Sequence, residues 1–124
     1  MIIQDTLHSL GITRNYRGFR RTELAIRLIL ENPERLENVT RDVYHIVAEN
    51  CGCNHAAVER NLRTVIDRAW RISPELLRKM AGFPLDQQPT VSEFLEITSN
   101  YIRKSTLSEK MPLQQSSSAN LRIQ

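Results

Sequence analysis

The chain has 124 residues, of which 40% are hydrophobic and 25% charged, enough for one ordinary domain around one modest core. No apolar run approaches the roughly 18 residues of a membrane span. The start, "MIIQDTLHSLGITRNYRG", lacks the basic-then-apolar order of a signal peptide, so no membrane partner is expected and the cytoplasm is the expected compartment. The net charge of +3 permits an anionic partner without demanding one. Residues 1–50 carry seven Arg against seven Asp or Glu, so the excess lies in residues 51–124, with ten Lys or Arg against seven acids. Only Lys79, Lys104 and Lys110 among the 17 basic residues are lysines. Arginine can grip phosphate or guanine through two parallel bonds where lysine is a point charge.

In chain order the elements all read as helices, because strand-like alternation is absent and glycine is sparse. "IIQDTLHSL" repeats apolar residues at Ile3, Leu7 and Leu10 and stops at Gly11. The loop "GITRNYRG" leads to "FRRTELAIRLILEN", with Leu24, Ile26, Leu28, Ile29 and Leu30, ended by Pro33. A short helical turn is expected in "PERLEN". Thr40 is the expected N-cap of "RDVYHIVAEN", and Val43, Ile46 and Val47 line one side of that helix. "CGC" then makes a tight turn, and Asn54 caps "HAAVERNLRTVIDRAWR". "SPELLRKMAG" carries its own punctuation: Ser73 to cap, Pro74 at the first helical position, Gly82 at the exit. In "TVSEFLEITSNYIRK", Thr90 and Glu93 form a capping box. Behind it Val91, Phe94, Leu95, Thr98, Tyr101 and Ile102 keep helical spacing. Residues 1–104 are the expected domain, and residues 105–124 are polar and aperiodic, which predicts a disordered tail.

The helix after "CGC" has two faces. With Val58 at the origin of a helical wheel, Leu62, Val65, Ile66 and Ala69 fall within about 80° of it. Arg60, Arg63, Thr64, Asp67 and Arg71 fall opposite. A helix precedes it across a short turn, the spacing of a helix-turn-helix unit. In such a unit the second helix enters the major groove and its N-terminal residues meet base edges; here those are His55, Ala56, Glu59, Arg60 and Arg63. The same spacing also suits a solvated face laced by Glu59–Arg63 and Asp67–Arg71 ion pairs. "RNYRGFRR", Arg14 to Arg21, is the densest basic stretch. Arg17 within it is a candidate to grip the phosphate backbone beside the second helix, or part of a solvated loop.

Other chemistry finds little support. "CGCNH" with His45 groups the thiols of Cys51 and Cys53 with two imidazoles, but structural zinc more often uses Cys-x-x-Cys, so no metal is expected. The thiols read as part of a tight turn, reduced in the cytoplasm. His8, His45 and His55 have no triad or HExxH context and no glycine-rich phosphate loop is present. Neither enzymatic activity nor a cofactor is expected. Trp70 and Phe94 read as core.

"VTRDVYHIVAENCGCNHAAVERNLRTVIDRAW" resembles the C-terminal DNA-binding domain of the stage-zero sporulation response regulator (the A protein) of endospore-forming Firmicutes. "VER…R…I…AW" in the second helix carries the likeness. So do "QPTVSEF" beside the family's "KPTNSEF" and "LHSLGI" beside its "IHEIGV", and together they cover about residues 5–104. The resemblance implies an all-α bundle of about six helices built around a helix-turn-helix. It implies sequence-specific binding to double-stranded DNA and regulation of transcription in sporulation. Two copies on tandem sites are implied, with RNA polymerase as a further candidate partner. The family's "SRVERAIR" places its base and phosphate contacts on Glu59, Arg60 and Arg63. Its Ser-Arg pair is Ala56-Ala57 here, which removes a hydroxyl and a guanidinium from the DNA-facing end. A protein-interaction module that keeps the fold and has lost specific DNA binding is therefore the rival expectation. The family's phosphorylatable receiver domain is not expected in this chain.

Overall fold

The apolar spacing along the chain closes into helices, and among the described residues all regular structure is helical. The computed structural model describes residues 2–110. Helix α1 spans Ile2–Ser9 and α2 spans Arg17–Glu31. A 3-10 helix follows at Pro33–Asn38, and a π-helical turn, Thr40–Tyr44, runs directly into α3, His45–Cys51. Then come α4, His55–Ile72; α5, Pro74–Ala81; and α6, Val91–Lys110. Helices α2 and α4 lie at the centre, in contact with each other, while α1, α3, α5 and α6 pack around them.

Each boundary has a local cause. Gly52 ends α3 with φ 67°, a left-handed conformation that costs a residue with a Cβ about 1 kcal/mol or more. The turn Gly52–Asn54 follows, and the Asn54 side chain accepts from the Ala57 N–H at 2.9 Å to start α4. The Thr90–Glu93 box forms as expected: Glu93 accepts from Thr90 N–H at 2.8 Å, and the Thr90 hydroxyl accepts from Glu93 N–H at 3.1 Å.

Two expected caps are corrected. Thr40 is not a cap, because Val39 before it is already helical at φ −64°, ψ −37°. The side chain that meets a free N–H is that of Asn38, which accepts from Arg41 N at 3.1 Å. Ser73 stands at the cap position of α5, but its hydroxyl makes no capping bond; its carbonyl accepts from Leu77 N at 3.1 Å. Helix α6 continues through Lys110, past the boundary expected at residue 104. The rest of the predicted tail, 111–124, lies outside the described residues.

The core is one cluster in which Leu7, Ile26, Val43, Leu62, Ile66, Leu77, Phe94 and Leu95 are fully buried. Phe94 is core as expected, and Trp70 is half-buried with the Arg78 guanidinium 4.9 Å from its ring centroid. Tyr101, grouped by spacing with the apolar side of α6, is 39% exposed.

The two central helices approach closely at Gly18. A Cβ on Gly18 would come within 2.8 Å of Val65 Cγ2 and 3.0 Å of the Asn61 carbonyl oxygen. Gly→Ala inside a helix ordinarily gains roughly 1 kcal/mol. Here it forces the two helices apart, at an overpacking cost of about 1–3 kcal/mol. Gly18→Ala is therefore expected to lower stability, while Leu62→Ala, which empties the same packing layer, costs roughly 2–5 kcal/mol. Denaturant unfolding of both variants checks this; a Gly18→Ala variant more stable than the parent means the helices do not meet there.

Candidate nucleic-acid interface

The wheel drawn for α4 is realised in the fold. Val58, Leu62, Val65, Ile66 and Ala69 are buried, and His55, Ala56, Arg60, Arg63, Thr64, Asp67 and Arg71 are exposed on the same helix. Glu59 is half-buried at the edge between the two faces. Asn54, which starts α4, and Gly52, which ends α3, set the axis along which these side chains project. Thus six of the candidate residues, His55, Ala56, Glu59, Arg60, Arg63 and Thr64, share one exposed stretch that begins at the first turn of α4.

Of the two ion pairs that the spacing of this face suits, one forms. Arg63 Nη2 donates to Glu59 Oε2 at 3.2 Å, with both side chains substantially exposed. Asp67 does not take up Arg71; its carboxylate accepts instead from the side-chain amide of Gln88, in the loop before α6. The Thr64 hydroxyl donates to the Arg60 carbonyl oxygen at 3.0 Å, which leaves its oxygen lone pairs for an outside donor. An exposed pair such as Glu59–Arg63 is worth only about 0.2–1 kcal/mol, so either member is free to exchange it for a stronger partner.

Three neighbours of this face were not visible in the sequence. Tyr44, buried at the end of the π-helical turn, lies near the Glu59–Arg63 pair. Its hydroxyl is pushed above the ordinary tyrosine range, first by burial and then by the Glu59 carboxylate, with Arg63 acting the other way. Gln88 comes from a distant loop. The His45 ring lies against that of His55, centroids 4.4 Å apart and tilted by 34°, so the first turn of α4 is anchored to α3. Cys51 and Cys53 are free thiols, both half-buried beside this turn.

Arg17 is not brought together with the others. It opens α2 and lines a separate groove between α1 and α2 with Gln4, Arg14, Arg20, Glu23 and Arg27. On α2, Gly18 and Arg21 are the residues that meet α4, Arg21 through the Asn61 side chain. Arg20 and Arg27 fall about 160–180° around the helix from Gly18, and Arg17 about 100°. Helix α2 therefore stands between most of the groove and α4. Arg17 stands on the flank of α2, about 100° around from Gly18, and lines this groove rather than joining the exposed stretch of α4.

A helix, the turn Gly52–Asn54 and a second helix with an arginine face is an arrangement with a known counterpart. Residues 3–102 match the family described as Sporulation initiation factor Spo0A C terminal. The chain belongs to this family. Its members are DNA-binding domains of sporulation transcription regulators and not enzymes. Among the described residues no helix is long and apolar enough to cross a membrane.

The Tyr44 environment yields a check on the site's geometry. Glu59→Gln leaves the burial of the phenol in place and removes the smaller push of the nearby anion, so the Tyr44 titration is expected to move down part of the way toward the ordinary tyrosine value. Ultraviolet phenolate absorbance follows it, with Tyr44→Phe identifying which step is Tyr44's. An unmoved step would place the hydroxyl away from the Glu59–Arg63 pair.

Proposed function

We propose that the chain is a sequence-specific DNA-binding transcription regulator that reads the major groove with α4. The observation that carries this reading is the separation, on one helix, of a fully buried apolar stripe from an exposed face holding Arg60, Arg63, Thr64 and Arg71. Family membership supplies the DNA; the face supplies the chemistry. Arg60 and Arg63 offer paired N–H donors to guanine O6 and N7 or to phosphate, and Glu59 can accept from cytosine N4. Ala56 offers a methyl group suited to thymine, and His55 and Thr64 offer polar contacts at the two ends of the stretch. In the family's tandem arrangement two copies sit on adjacent sites, and RNA polymerase is the further partner of a DNA-bound regulator.

The Glu59–Arg63 pair decides how sharp the reading is. In the free protein Arg63 is held over Glu59, at a gain of about 0.2–1 kcal/mol. A bidentate contact to guanine discriminates by about 1–3 kcal/mol. The guanine contact therefore wins at a matching site, while a mismatched site leaves Arg63 with Glu59. Loss of the family's Ser-Arg at Ala56-Ala57 removes phosphate and base contacts from the first turn, so this chain selects a different or shorter set of bases.

The test is a titration of the parent, Arg60→Ala and Arg63→Ala. Each is measured against a duplex selected from a random library and against a scrambled duplex, at two salt concentrations. Neither side chain touches the core, so stability is expected to change by about 0.5 kcal/mol or less. Affinity for the selected duplex is expected to fall by about 1–3 kcal/mol, with relaxed preference at one base position. Parent affinity should also fall steeply as salt rises. Variants that bind the selected duplex as the parent does would remove α4 from the groove. A parent that prefers no duplex over another would leave the fold as a protein-interaction module.

A further inference from the structure

The groove between α1 and α2 carries charge that the α4 reading does not use. Its floor is a buried carboxylate: Glu23 is 8% exposed and accepts from Gln4 Nε2 at 3.0 Å and from Arg27 Nη2 at 3.5 Å. Gln4 in turn accepts from Arg14 Nη2 at 2.8 Å. One acid thus faces Arg14, Arg17, Arg20 and Arg27 around a single groove. Arg14, Arg17 and Arg20 are exposed, so the rim is strongly cationic over a floor already satisfied.

The arginines stand where the helix itself disfavours them. Arg17 and Arg20 lie in the first turn of α2, which contains no acid, and Tyr16 at the cap position makes no side-chain capping bond. Unsatisfied N–H groups give a helix N-terminus about half a positive charge, and a cation there costs typically about 0.3–1 kcal/mol. Two such placements beside Arg14 break a local rule, and the acid that faces them, Glu23, is already bonded to Gln4 and Arg27. Positions of that kind mark surfaces retained for binding.

We propose that this groove docks an acidic segment of a partner protein. Duplex DNA fits it less well on two counts. Most of its lining on α2, Arg20, Glu23, Leu24 and Arg27, falls about 120–180° around the helix from the Gly18 contact with α4, and only Tyr16 at its end touches α4, under Arg68. Half-buried Tyr16 and Leu24 also line it, giving some apolar surface between the guanidinium groups. That combination suits carboxylate side chains interspersed with an apolar one, where a phosphate track offers only charge. The arginines contribute steering and charge-assisted hydrogen bonds to the carboxylates, and the apolar wall contributes burial.

The experiment uses a fluorescein-labelled oligoglutamate peptide, read by anisotropy against the full chain at low salt, with no DNA present. The parent is expected to bind. Arg20→Gln should weaken binding roughly ten-fold, the size of one lost charge-assisted contact. Lys79→Gln removes the same charge from the exposed surface of α5 and should leave peptide binding within about two-fold. Saturation with the selected duplex should leave the peptide bound, and Arg20→Gln should bind that duplex as the parent does. Melting curves confirm that both variants are folded. Equal losses from Arg20→Gln and Lys79→Gln, or no binding by the parent, would overturn the proposal. Displacement of the peptide by the duplex, or an Arg20→Gln defect on DNA as large as on the peptide, would assign the groove to DNA instead. The peptide titration is independent of whether α4 reads bases, so the two readings fail separately.

Discussion

The contact of α2 with α4 at Gly18 is the constraint from which both surfaces of this domain follow. With no side chain at Gly18, the backbone of α2 sits against Val65 and the Asn61 carbonyl. That approach fixes the rotation of α4 about its axis. Val58, Leu62 and Ile66 then have to point inward, and Arg60, Arg63 and Arg71 have no other direction than solvent. The same contact fixes α2: with Gly18 and Arg21 against α4, Arg20 and Arg27 are turned toward α1. Two polar ties keep the register. Arg21 donates to the Asn61 side chain, and Arg68 Nε donates to the Gly11 carbonyl at 2.8 Å while its guanidinium lies 4.6 Å from the Tyr16 ring centroid. A helix presented to DNA has to be held rigidly, because a rotated recognition helix offers the wrong side chains to the bases.

What was legible in the sequence was whatever a single helix determines alone. The long apolar stripe of α4 has enough repeats to fix a face, so the buried and exposed sets were assigned correctly from spacing. The Asn54 cap and the Thr90–Glu93 box were legible because they are closed within a few residues. Thr40 failed because the 3-10 helix before it leaves Val39 already helical, a junction that no local pattern announces. Ser73 had the right position and the wrong bond, since its backbone at φ −134°, ψ 51° is not the extended conformation a cap requires. Glu23, a buried carboxylate, and Gly18, a contact glycine, were illegible: each takes its meaning from a residue on another helix.

The site divides along the same line. His55, Ala56, Arg60, Arg63 and Thr64 are exposed on one helix with Glu59 at their edge, a grouping that period alone makes legible. Arg17 could not be placed, because its side of α2 is decided by α4 some forty residues away. His45 on His55, Gln88 on Asp67 and Tyr44 beside Glu59 all join separate elements. These tertiary partners tune the face without belonging to it. Gln88 hydrogen-bonds Asp67 and so holds that carboxylate toward the loop before α6. Tyr44 adds a neutral, buried wall behind the Glu59–Arg63 pair.

Charge placement across the domain has a consequence for how its two basic surfaces work together. On α4 the arginines are interleaved with Glu59 and Asp67, so the face is selective before it is attractive: an acid near a phosphate is repelled unless a base edge rewards it. In the α1–α2 groove one buried acid sits under several arginines, so attraction dominates and geometric selectivity is low. The two surfaces meet through shared packing: Gly18 of α2 sits against Val65 and the backbone of Asn61, and Tyr16, which lines the groove, carries the Arg68 guanidinium of α4 over its ring. On the two proposals, a protein partner in the groove and a duplex on α4 occupy different helix faces, so both can be bound at once. That is the arrangement a regulator requires if it is to hold its DNA site while recruiting something else to it.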